Sequence, residues 1–113
     1  MTILSTIVPP GIDPDAVARL LDDGRAVHAH RAVVFMANTR PVDLFTAVLV
    51  AGFGSGSWPL DYHAGRDLVL AAEVALVEHL NTRDLAAWAA AHSPAEQQNA
   101  LAEVADKLRT AVA

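Results

Sequence analysis

The sequence predicts an all-α fold, a small bundle of about five helices preceded by a short extended N-terminal arm. Three observations predict it. Asp13-Pro14 and Ser93-Pro94-Ala95-Glu96 carry the chemistry of helix starts. Apolar residues recur at helical spacing in Val17, Leu20 and Leu21 and again in Leu101, Val104, Leu108 and Ala111. The length and alanine content of the segment from Arg25 to Asn38 favour a helix there as well. The alternative is an α+β fold in which strands near 2–8 and 26–36 pair with each other.

Taken in order, Thr2 to Val8 is β-branched and apolar and is closed by Pro9-Pro10-Gly11, which makes it an extended arm in need of a partner. Asp13 is the expected N-cap of the first helix, Pro14 its first residue, and Ile12 and Val17 the two ends of a hydrophobic staple. Asp22-Asp23-Gly24 reads as the end of that helix. A second helix over 25–38 places Ala26, Ala29, Val33 and Met36 on one stripe, whereas a strand there places His28 and His30 on one face. The distinction matters for chemistry: only the strand brings the two imidazoles together.

Thr39 or Arg40 is the expected cap of the next element and Pro41 lies in its first turn. Val42 to Ala51 is apolar around most of its circumference, hence buried, and Gly52 and Gly54 are read as its stop. A loop of glycine, serine, Trp58 and Pro59 leads to the segment Arg66 to Leu80, whose charges gather on one side with Leu70, Val74 and Val77 interleaved among them. Such a helix is central or lies in an interface. Asn81-Thr82 is read as the cap of a helix over 83–92 in which Leu85, Trp88 and His92 share a face. The last helix opens on the Ser93–Glu96 capping box and carries Glu103 and Lys107 as an i, i+4 pair.

The 113 residues form one expected domain, 1–113, with no internal repeat or linker. Fifty-three per cent are hydrophobic, more than one small globule readily hides, so a partner surface is expected. There is no cysteine, which removes disulfide and thiolate chemistry and leaves any metal site to histidine and carboxylate. The five histidines show no helical metal-ligand spacing, and neither metal nor cofactor is expected. The net charge is -5 and the basic residues are scattered singly, which argues against nucleic acid as a partner. The arginine excess over the single Lys107, with abundant alanine and valine, fits a high-GC coding sequence such as that of an actinobacterium or one of its phages. The opening residues lack the charged n-region of a signal peptide, so the cytoplasm is the expected compartment. Leu44 to Leu60 just reaches spanning length, but glycine, serine and proline fill its second half, and no membrane partner is expected.

The candidate chemistry lies between Gly52 and Gly65. Asp61 and His63 are the candidates for acid/base work, and Trp58 and Tyr62 for ligand contact. The glycines lack the following helix or Lys-Ser/Thr that a phosphate cradle needs. The favoured function is a non-enzymatic protein–protein interaction module, a small adaptor or regulatory subunit presenting a helical surface to an unidentified protein partner. A homodimer is expected, with Leu70, Val74, Val77 and Trp88 in its interface. The alternative is a small enzyme or ligand-binding protein using the Gly52–His63 loop, and a third reading is a helix-turn-helix regulator over Pro14–Met36 with Gly24 in the turn.

Overall fold

A computed structural model describes residues 12–36, 43–54 and 65–112, and these contain five α-helices and no strand. They are α1 (Pro14–Met36), α2 (Leu44–Phe53), α3 (Arg66–Leu80), α4 (Leu85–Ala90) and α5 (Pro94–Val112). The fold is therefore all-α. The extended arm over 2–8 lies outside the described residues.

Helix α1 begins as its sequence dictates. Asp13 accepts from the Asp15 N–H at 3.0 Å, and the half-buried Ile12 and fully buried Val17 pack on the core. It does not end at Gly24. Instead α1 continues for 23 residues through Met36, so the separate helix or strand expected after Gly24 is replaced by one uninterrupted helix. The glycine serves close packing instead: a Cβ at Gly24 would come within 2.9 Å of the Val48 Cγ2 and 3.2 Å of its Cα. Gly24 is where α2 crosses α1, and the missing side chain is what lets the two backbones approach.

Continuity also fixes the phase of the helix. The inward row runs Val17, Leu21, Gly24, His28, all buried, and turns Ala26, Ala29 and His30 outward. The stripe expected through Ala26 and Ala29 is thus displaced, and the side chains of Val33 and Met36 lie outside the described ones. His28 and His30 face different environments. The turn at Gly24 required by a helix-turn-helix is likewise absent, because residues 14–36 are one helix.

Helix α2 starts at Leu44, two residues later than expected, and its cap is Asp43 rather than Thr39 or Arg40, which lie outside the described residues. The Asp43 carboxylate accepts from the Thr46 N–H at 2.7 Å. Gly52 stays inside the helix, where a Cβ would collide with the Val69 side chain of α3. The stop is Gly54, at φ 80°, whose N–H reaches back to the Val50 carbonyl at 2.8 Å.

Helix α3 spans Arg66–Leu80 as expected and buries Val69, Ala71, Ala72, Ala75 and Leu76. Asn81 turns out to be its left-handed C-cap, at φ 50°, rather than part of the next N-cap. That role falls to Asp84, which accepts from the Ala87 N–H at 3.0 Å, leaving α4 only six residues. The capping box of α5 closes in both directions: Ser93 N–H donates to Glu96 Oε1 at 3.0 Å, and Glu96 N–H to Ser93 Oγ at 3.2 Å. The first of these bonds holds the Glu96 carboxyl below its ordinary range.

Helix α1 is the organising element, packing most extensively on α5, then on α2 and α3. Val17, Leu21, Leu44, Val48, Leu76, Leu101, Val104 and Leu108 are fully buried between these helices. At the rim, Arg109 of α5 hydrogen-bonds Asp22 of α1 and stands 3.8 Å from Asp15 and 3.9 Å from Asp106. The bond to Asp22 raises the already high guanidinium pKa. This clasp is solvent-exposed, so it orients α5 on α1 more than it stabilises the pair.

Candidate functional site

The sequence singles out one loop and one helix face as candidate sites. Trp58, Asp61, Tyr62 and His63 lie outside the described residues. The flanks of their loop are described, and Gly52 and Gly65 line a cavity of about 390 Å³ together with Ala16, Arg19, Leu20, Asp23, Ala51 and Leu68. Arg19 and Asp23 are its charged groups among the described residues. Among the described residues no three histidine, aspartate or glutamate side chains converge as a metal site would require, and no helix is long and apolar enough to cross a membrane.

The helix face divides into two parts. Leu70 is 44% exposed and Val74 37%, and these are the exposed large hydrophobic residues among those described. Val77 is turned partly onto the core. Beside them Glu73 is half-buried, and the loss of water pushes its carboxyl upward from the ordinary range. Trp88 belongs to a different surface. It sits half-buried on α4, a helix that packs on α2, and stacks on His92 one turn later with ring centroids 3.9 Å apart. The His92 Nδ1–H donates to the Trp88 carbonyl at 2.6 Å, which fixes the imidazole against the indole.

A polar pair that sequence reasoning missed lies in the core. Gln97 and His28 are 7% and 1% exposed. The Gln97 amide binds backbone groups of two helix ends at once. Its Oε1 accepts from the Leu44 N–H, at the start of α2, at 3.0 Å. Its Nε2 donates to the carbonyls of Ala89 and His92, at and beyond the end of α4, at 3.0 and 3.2 Å. Because both amide hydrogens are committed, His28 Nε2 must be the donor in its 3.2 Å contact with Gln97 Oε1. Nδ1 is buried and without a hydrogen-bond partner.

That geometry disfavours a second proton on His28, which would sit buried at Nδ1 without an acceptor. Burial lowers its pKa, outweighing the Gln97 hydrogen bond and the Asp43 charge, both of which raise it. Below the ordinary histidine value of 6.5 the unfolded chain binds a proton that the folded chain refuses, so stability rises with pH through this window. The contribution is complete above the unfolded value and is lost as pH falls through the lowered folded one. Urea titrations of wild type and His28→Leu between pH 5 and 8 are expected to show a steeper loss on the acid side for wild type. Parallel curves would show that His28 takes no part.

A second imidazole bridges α3 and α5 at the surface. His79 Nε2 is 3.0 Å from Glu103 Oε2, and Nδ1 is 2.6 Å from Lys107 Nζ. An ammonium only donates, so Nδ1 accepts from Lys107 and Nε2–H donates to Glu103. The pair expected between Glu103 and Lys107 is therefore made through the ring of another helix.

Comparison with protein-family models, with curated proteins and with solved structures gives no match.

Proposed function

We propose that the protein is a non-enzymatic interaction module, a small adaptor or regulatory subunit, that assembles as a homodimer through the exposed face of α3. The observation that carries this reading is the exposure of Leu70 and Val74, one helical turn apart on the same face. Water contact at two adjacent large aliphatic side chains is unfavourable by about 25 cal/mol per Å² of apolar surface, and a matching apolar surface removes it. A second copy supplies such a surface without any new sequence.

Light scattering during size exclusion is the test. Wild type is expected to elute at twice the chain mass at micromolar concentration. Replacing Leu70→Glu and Val74→Glu together is expected to return the monomer mass with unchanged helical circular dichroism, since both positions face solvent within one chain. A monomeric wild type, or a double variant that stays dimeric, would overturn the reading.

A further inference from the structure

Lys107 is the single lysine of the chain, and its amine is engaged by a second helix. Its Nζ lies 2.6 Å from His79 Nδ1, and His79 Nε2 lies 3.0 Å from Glu103 Oε2. Carboxylate, imidazole and amine therefore form one hydrogen-bonded line across the α3–α5 contact. Glu103 and Lys107 stand one turn apart on α5, and the His79 ring of α3 bridges them. The ring is mostly buried, with 15% of its side chain exposed, whereas Lys107 and Glu103 face water. A fixed acceptor against an accessible amine, with a carboxylate on its far nitrogen, is the arrangement by which a general base serves a nucleophile.

We propose that Lys107 is a site of covalent acylation, taking the acyl group of an uncharged thioester with His79 as general base and Glu103 as its positioning residue. The amine reacts in its neutral form, after the ammonium has given one proton to water. Its lone pair attacks the carbonyl carbon, the N–C bond forms, and the carbonyl electron pair moves onto oxygen. The nitrogen then carries a positive charge, and one of its protons passes to His79 Nδ1. The Glu103 carboxylate stabilises the resulting imidazolium through Nε2–H. When the carbonyl re-forms, the C–S bond breaks, sulfur leaves with the electron pair, and the thiolate collects the proton from His79. Amine and thioester have become amide and thiol, nothing is oxidised or reduced, and the base is restored. The hydrogen bond to Nδ1 is stronger in the charged adduct than in the resting ammonium, because the adduct gives up its proton more readily. The contact therefore speeds the reaction as well as holding the side chain. The donor class follows from the surroundings: exposed Glu103 lies one turn away and exposed Asp106 is adjacent in sequence, and their charge disfavours an anionic donor such as an acyl phosphate.

The probe is N,S-diacetylcysteamine, a small uncharged thioester. Acetylation of Lys107 is followed by peptide mass spectrometry, with an isotope-labelled synthetic peptide of residues 100–112 in the same tube as the reference lysine. The peptide contains Glu103 and Lys107 but lacks His79. Lys107 in the folded protein is expected to react about tenfold faster than in the peptide, less than an enclosed general base supplies because the amine is open to water. His79→Gln is expected to remove that advantage. Glu103→Gln keeps an acceptor for Nε2–H without the charge, and is expected to remove part of it. In heavy water the wild-type protein is expected to slow more than either variant, a difference that a purely structural contact would not produce. Equal rates in protein and peptide would overturn the proposal, as would a His79→Gln protein that reacts like wild type. Should His79→Gln fail to fold, Glu103→Gln at its exposed position carries the test, and a wild-type rate with a wild-type heavy-water effect there would overturn the assignment.

Discussion

Gln97→Leu is expected to destabilise the protein by roughly 3–5 kcal/mol, because a buried donor or acceptor stripped of its partner costs about 1–3 kcal/mol and this change strips several. The Leu44 N–H and the His28 Nε2–H lose their acceptor, and the His92 and Ala89 carbonyls lose the Gln97 amide, Ala89 keeping the His92 N–H. Leucine fits the volume but answers none of these groups. Helix α4 is the element most exposed to the loss: at six residues it lies below the length at which a helix sustains itself in water. Urea denaturation followed by circular dichroism measures the total. Gln97→Glu separates its parts, since a carboxylate still accepts from Leu44 and His28 but offers nothing to the two carbonyls. A loss below about 1 kcal/mol for Gln97→Leu would mean that the amide is not the junction described here.

The other large effect is expected at Gly24, where Gly24→Leu should cost about 3 kcal/mol by forcing α1 and α2 apart. The smaller change Gly24→Ala is the more diagnostic, because its sign separates two accounts of the residue. At an ordinary helical position alanine would stabilise by up to about 1 kcal/mol. Here the new methyl meets the stiff, β-branched Val48 and its backbone, which have little room to yield, so alanine is expected to destabilise. In a double-mutant cycle with Val48→Ala the cost should shrink, a coupling that two independent sites would not show. A stabilised Gly24→Ala protein would remove Gly24 from the α1–α2 contact.

These two residues also mark where the sequence was legible and where it was not. Helix starts at Asp13-Pro14 and Ser93–Glu96 were readable because a cap is local: the side chain and the N–H it satisfies lie within three residues of each other. The extent of α3 was readable too, since no glycine or proline interrupts Arg66–Leu80. Gly24 is ambiguous in the sequence because glycine serves both as a helix stop and as a crossing point, and only the position of Val48 distinguishes them. The caps of α2 and α4 are Asp43 and Asp84, and polar residues upstream of each, such as Thr39 and Thr82, compete with them in the sequence, so the expected starts lie two residues early. The His28–Gln97 pair did leave a trace. His28 continues the row of Val17, Leu21 and Gly24, and Gln97 stands one turn before Leu101, so each is a polar residue in the inward phase of its helix. Two such residues on helices that pack together are a signature of a buried polar contact, visible once α1 is recognised as continuous. The α3 face was nominated from composition and spacing, but the division between exposed Leu70 and Val74 and core-facing Val77 depends on how α3 is rolled against α1 and α2.

The dominance of the α1–α5 contact sets a timetable for the nascent chain. The inward row of α1 emerges from the ribosome early, while the residues that cover it most extensively, those of α5, are the last of the five helices to be made. At common elongation rates this interval is on the order of ten seconds, during which Val17, Leu21 and their neighbours have at most α2 and α3 for shelter. Collapse of a chain this size takes microseconds, so the early helices have ample time to settle on one another without α5. Chaperone contact and aggregation during synthesis are therefore expected to concentrate on residues 14–28, and to end when α5 arrives.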